Sequence, residues 1–154
     1  MTVNNPLPPV RKLTPQEVAD LTALAIPAHL ATFDPMGFPR VIPLWFLWEE
    51  EIFYLSSGPK SRHVQDLVRD SRAGLCITVE EDQTQTGYRP FRQIMVQGYV
   101  QVQPDLDGTW AGKLIRKYIA GQAGEVRVKL EAKKPHVVIT LRPERFLTTG
   151  FFPQ

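Results

Sequence analysis

From His29 onward the chain is a succession of short β-rich runs separated by turn residues, and this alternation limits the fold more than any other feature. His29–Phe33 reads as a strand, and Asp34-Pro-Met-Gly37 as a turn with glycine where positive φ is tolerated. Arg40–Trp48 is a second strand, in which Pro43 predicts an edge position or a bulge. Glu49–Glu51 forms a hairpin tip, and Ile52–Ser56 the third strand. Ala73–Glu80, Phe91–Gln103 and His136–Leu141 complete a set of six, with a Phe-rich tail at 146–152.

Helical signals sit between these runs. Thr14-Pro15-Gln16-Glu17 is a helix start, with Thr14 as cap, Pro15 at the first helical position and Glu17 closing a capping box. Val18, Leu21, Leu24 and Ala25 share a face until Pro27. Ser61–Arg69 reads as a helix with Val64, Leu67 and Val68 inward, and Trp110–Ala120 as an amphipathic helix. Glu125–Lys133 is ambiguous between helix and strand. Residues 1–12 are proline-rich and predict an extended arm, leaving 13–154 as one domain. Many antiparallel strands with helices as plugs predict a mainly β fold with flanking α, a closed or partly closed barrel.

Several functions are disfavoured. A formal net charge of +2 makes no general field for nucleic acid or membrane. No apolar stretch approaches the ~20 residues of a bilayer span, and the first residues lack a secretory pattern, so the cytoplasm is expected. The single cysteine, Cys76, lies in an apolar run and reads as a buried small hydrophobe. His29, His63 and His136 have no metal-ligand spacing, and no metal site is expected. Neither a phosphate-binding glycine loop nor a Gly-x-Ser-x-Gly elbow occurs.

One local feature can hold an anion. Lys60-Ser61-Arg62-His63 opens a helix, where free amide donors and partial positive charge favour a phosphate. Arg40 reaches the same point if its strand is a neighbour. A solvated basic helix start is the competing reading.

Three blocks resemble the pyridoxamine 5'-phosphate oxidase-like FMN-binding split-barrel family, over roughly residues 26–147. Ala31-Thr-Phe-Asp-Pro-Met-Gly-Phe-Pro-Arg-Val-Ile-Pro-Leu-Trp-Phe46 is similar to its first hairpin. Ile52–Ser57 followed by Lys60-Ser-Arg-His-Val64 resembles its strand and helix start, and Arg92-Gln-Ile-Met-Val-Gln-Gly98 its "R-Q-V-x-V-x-G" strand. The resemblance implies a six-stranded antiparallel split β-barrel, a homodimer whose pocket is completed by the second subunit, and FMN as cofactor.

It also implies the site. Arg40, Val41, Ile42, Pro43 and Trp45 line phosphate, ribityl chain and ring; Leu55 and Ser56 meet the ring through backbone and hydroxyl groups; Lys60, Ser61, Arg62 and His63 surround the phosphate; Gln93 hydrogen-bonds the flavin. Two positions depart from the family: His63 stands at its lysine, and Trp45 where the oxidase has a substrate-contacting lysine. A Trp-Arg-Leu-His-like C-terminal segment is also missing. Oxidation of pyridoxamine phosphate is therefore not the expected activity. Hydride transfer through FMN to or from an unidentified small molecule is expected, with no catalytic side chain assigned. Two alternatives are use of the deazaflavin coenzyme F420, through Lys60, Arg62, Arg69 and Arg72, and a non-catalytic flavin- or haem-binding protein, with His63 as iron ligand.

Overall fold

The computed structural model describes residues 9–153. Within the expected arm, Val10–Arg11 forms a two-residue strand, β1, while positions 1–8 lie outside the described residues. The capping box forms as read. Glu17 N–H donates to the Thr14 hydroxyl, Thr14 N–H donates to the Glu17 carboxylate, and helix α1 (Pro15–Ala23) follows. It stops four residues before Pro27, so Ala25 is exposed outside it while Leu21 is wholly buried.

Strand β2 (Ala28–Phe33) turns through Asp34, whose carboxylate accepts the Met36 and Phe38 amides, into β3 (Pro39–Leu44). β4 (Phe46–Glu49) and β5 (Ile52–Ser57) form a hairpin whose tip, Glu50 and Glu51, takes φ of 50° and 61°. Helix α2 (Arg62–Arg69) leads to the hairpin of β6 (Arg72–Glu80) and β7 (Phe91–Pro104). Two helices, α3 (Thr109–Tyr118) and α4 (Gly121–Glu131), precede the long β8 (Val137–Phe151). The ambiguous segment is thus helical, and the Phe-rich tail is the second half of β8.

The strands form one antiparallel sheet in the order β3-β2-β6-β7-β8-β5-β4, with β1 on β8. Eight strands replace the expected six. The run Arg40–Trp48 is cut at Trp45 into β3 and β4, and β1 is added. The cut has a geometric cause. Flat, this path would hold its two edges ~29 Å apart at ~4.8 Å per strand, yet one residue, spanning ~3.5 Å, joins them. The sheet must therefore curl until β3 and β4 meet at Trp45, and among the described residues no ladder pairs them, so the sheet is not closed along that seam.

Glycine is required at one point of the curl. A register shift falls between Gln97 and Gly98, and a Cβ on Gly98 would lie 2.6 Å from the Arg142 carbonyl oxygen. The interior is filled by Leu30, Phe46, Phe53, Ile77, Ile94 and Leu141, none of them exposed. From α2, Val64, Asp66 and Leu67 turn inward, whereas Val68 is 72% exposed, against its expected place in the core.

Candidate functional site

β5 ends at Ser57, and the chain turns through Gly58-Pro-Lys60 into α2. Ser61 occupies the cap position, but its side chain does not cap the helix. The hydroxyl donates instead to the Gly58 carbonyl at 2.8 Å and lies 3.0 Å from the Ser57 hydroxyl, which lies 2.7 Å from His63 Nε2. A carbonyl can only accept, so all three contacts hold together when protons run from His63 Nε2–H through Ser57 and Ser61 to Gly58. The first amides of α2 are left without a side-chain acceptor, which concentrates positive potential at this end. Burial pushes the His63 pKa down and the Arg40 charge adds to this, while Asp66 opposes them. Lys60 and Arg62 are exposed beside the turn.

Beneath lies Asp66, 2% exposed. Its carboxylate accepts Arg40 Nε at 2.7 Å, the Thr32 hydroxyl at 3.1 Å and Arg69 Nη2 at 3.1 Å. β3 carries Arg40 opposite Thr32 on β2, so strand register brings both to the α2 carboxylate. Despite the cost of burial, these donors hold the Asp66 pKa below its ordinary value.

Trp45, at the seam, is 40% exposed and stacks on Tyr118, with centroids 4.6 Å apart and rings 4° from parallel. The Tyr118 hydroxyl accepts Phe46 N–H at 3.1 Å and donates to the Ile26 carbonyl at 2.7 Å, fixing the corner. From Trp45 a cleft of about 220 Å³ runs past Ser56, Ser57 and Gly58 to Arg127, Glu131 and His136 on the α4 side. Lys134 first, and Arg127 and His136 after it, hold the Glu131 pKa low, while burial raises it.

Two groups of expected residues are therefore assembled. Arg40 neighbours His63, which binds Ser57 and through it Ser61; Trp45 and Ser56 share the cleft that Ser57 also lines. Other expected residues stand apart. Ile42 lies on the inner side of β3 with Arg40, whereas Val41 and Pro43 alternate to the exposed side. The Leu55 side chain is wholly buried in the core, which leaves the contact expected of it to its backbone. Gln93, on β7, lies three places from β3 in the sheet and reaches Cys76 Sγ at 3.6 Å, not Arg40.

Sequence reasoning singled out none of Ser57, Asp66, Tyr118, Arg127, Glu131 or His136 for this site. Cys76 also differs from expectation. It is half-buried on the outer sheet face, in a cross-strand row Pro43–His29–Cys76–Met95–Leu147 that spans five strands. Met95 and Leu147 are exposed in that row.

Solved structures share this fold at low identity. A FAD-binding protein from Mesorhizobium loti matches with a TM-score of 0.63 and 21% identity, over 93% of this chain and 99% of the other. A FAD and heme binding protein from Mycobacterium smegmatis matches at 0.70 and 15%, over 94% and 74%. An F420 reductase matches at 0.62 and 23%, over 82% and 93%. No curated protein matches the chain. Among the described residues, no helix is long and apolar enough to cross a membrane. The model of the family described as pyridoxamine 5'-phosphate oxidase matches residues 14–150, nearly the full length of the split sheet, and the chain belongs to that family.

Proposed function

We propose that this chain is a flavin-binding oxidoreductase that takes FMN, with the phosphate at the start of α2 and the ring toward Trp45 and Ser56. One observation carries the reading: an uncapped helix start flanked by Ser57, Ser61, His63 and Arg40, continuous with a cleft bounded by an aromatic ring. The donor set suits a phosphate dianion, since helix amides and a guanidinium have free N–H groups, the Ser57 and Ser61 hydroxyls can turn theirs outward on leaving the chain to Gly58, and the Asp66 carboxylate is buried below them.

A bound flavin would supply hydride transfer with a small-molecule substrate. The protein's part is binding and orientation. Arg40 and the α2 amides hold the anion, Lys60 and Arg62 add charge from the surface, and Trp45, fixed by Tyr118, walls the ring end. The exposed five-strand row supports a homodimer as the working state, with Gln93 presented from the outer face to the second subunit's site.

A deazaflavin remains the second reading, because Lys60 and Arg62 are exposed beside the turn. Arg69 and Arg72 count for less than expected, being bound to Asp66 and Asp70 at 3.1 and 2.6 Å. Haem ligation through His63 Nε2 would require release of the 2.7 Å contact with Ser57, which leaves Nδ1 as the nitrogen for iron while that contact holds.

Titration of the purified protein with FMN, riboflavin and F420 separates these readings. FMN is expected to bind tightest, with affinity falling at least tenfold in Arg40→Ala and in Arg62→Ala. Unchanged FMN affinity in both variants would remove the phosphate site, and tighter binding of F420 would transfer the reading to the deazaflavin. Sedimentation showing a monomer with intact flavin binding would remove the shared pocket.

A further inference from the structure

Resting on that phosphate reading, we infer that Asp66 is a positioning residue of the anion site: it sets the guanidinium of Arg40 so that its free edge meets the phosphate. A guanidinium is planar and rigid, with five N–H donors in a fixed fork. Asp66 takes the one on Nε, at 2.7 Å. Among the described residues, the two terminal nitrogens make no hydrogen bond within the chain, and the side chain is 28% exposed. Fixing Nε–H fixes the plane, and with it the direction of the four remaining donors.

Asp66 is itself held on every side. Thr32 from β2 and Arg69 from its own helix occupy the rest of the carboxylate, and Arg69 is anchored in turn to the Phe33 carbonyl at 2.6 Å. The carboxylate therefore cannot follow Arg40 if the guanidinium swings; Arg40 must come to it. Asp66 also lies three residues after His63, whose proton affinity senses both members of the pair. The buried negative charge sits under two arginines, leaving the outward side cationic. A carboxylate that merely fastened α2 to the sheet would need Thr32 and Arg69, but not the only β3 arginine, bound by the edge that leaves its fork open.

The test compares FMN with riboflavin, which has the same ring and ribityl chain but no phosphate. The ratio of their dissociation constants isolates the phosphate contribution, and a general loss of structure lowers both affinities. Asp66→Asn cannot accept all three donors, so Arg40 loses its anchor. The expected result is a phosphate contribution reduced about tenfold with riboflavin affinity unchanged.

Arg40→Lys keeps the charge but has no Nε fork, and provides the second arm if Asp66→Asn folds poorly. It should show a similar loss, and the double variant little more than either single one. A ratio in Asp66→Asn equal to or above wild type would overturn the positioning role, as would a fully additive double variant or an Arg40→Lys protein that still discriminates. A wild-type protein that fails to distinguish FMN from riboflavin would overturn the phosphate reading itself, and the inference with it.

Discussion

Asp66 and Lys117 are both charged groups drawn away from water, and their surroundings treat them differently. Asp66, under α2, is met by two guanidinium groups and a hydroxyl. Lys117, on α3, is met by no carboxylate among the described residues: its ammonium donates to the Thr22 and Phe46 carbonyls at 2.8 and 3.0 Å and lies 3.8 Å from the Phe46 ring centroid. The first is an ion network with a solvent-facing arginine edge. The second is a strap joining α3 to the end of α1 and the start of β4. The buried carboxylate organises other charges; the half-buried ammonium acts as the polar tip of a long apolar side chain.

The largest expected effect falls on the first. Asp66→Ala leaves Arg40 without its acceptor and Arg69 with the Phe33 carbonyl alone, and should lower unfolding stability by ~2–4 kcal/mol, at the modest end because both arginines reach water. Denaturant melts measure this. A cost below that of Lys117→Met would invert the comparison. Tyr118→Phe comes next. It keeps the Trp45 stack but strips a partner from Phe46 N–H and from the Ile26 carbonyl, for ~1–2 kcal/mol, and near-ultraviolet circular dichroism should retain the Trp45 signal. Lys117→Met replaces a desolvated charge with an apolar chain of similar length and should cost ~1 kcal/mol or less.

The smallest effect is a slope with pH, opposite in origin at the two sites. Burial pushes the Lys117 pKa down to about 8 from 10.5. Between those values the unfolded chain holds a proton that the folded chain has released, so this group makes stability rise with pH across the window. Asp66 titrates below 3.8 in the fold, so its contribution is complete above that value and is lost as pH falls through the folded pKa. In melting temperature against pH, Lys117→Met should lose the alkaline rise and keep the acid limb. Loss of the acid limb instead would show that the two groups are coupled.

Much of the fold was legible because its signals are local. Thr14 and Glu17 three residues apart announce a capping box, and period-two alternation marks β2 and β6. What escaped depends on distant partners. Pro43 marked an edge, and β3 is an edge strand, but nothing between Arg40 and Trp48 locates the break at Trp45, since curling of the whole sheet imposes it. The segment 142–146 resembles the closing strand of smaller family members and is part of β8, although Pro143 and its charged neighbours look locally unlike a strand interior; the strand continues because Pro143 sits opposite Gly98 at the register shift. On α2, apolar Val68 was read as inward and Asp66 was not, because only tertiary pairing with Arg40 makes burial of a carboxylate tolerable. The candidate site divides the same way. Ser61, Arg62 and His63 are contiguous and readable, whereas Ser57, Arg127, Glu131 and His136 gather only in three dimensions, and α4 itself gave no clear period because Val126 and Leu130 are exposed.

The single-residue junction at Trp45 has a consequence for how this chain tolerates changes of length. An added residue there would widen the seam or turn every side chain of β4 to the opposite face, sending Phe46 and Trp48 outward together. The polar loop between β6 and β7, in contrast, joins neighbouring strands of one hairpin and can grow without altering any pairing. Length variation among proteins built on this plan should therefore collect in that loop and be nearly forbidden at the junction, whatever residue occupies it.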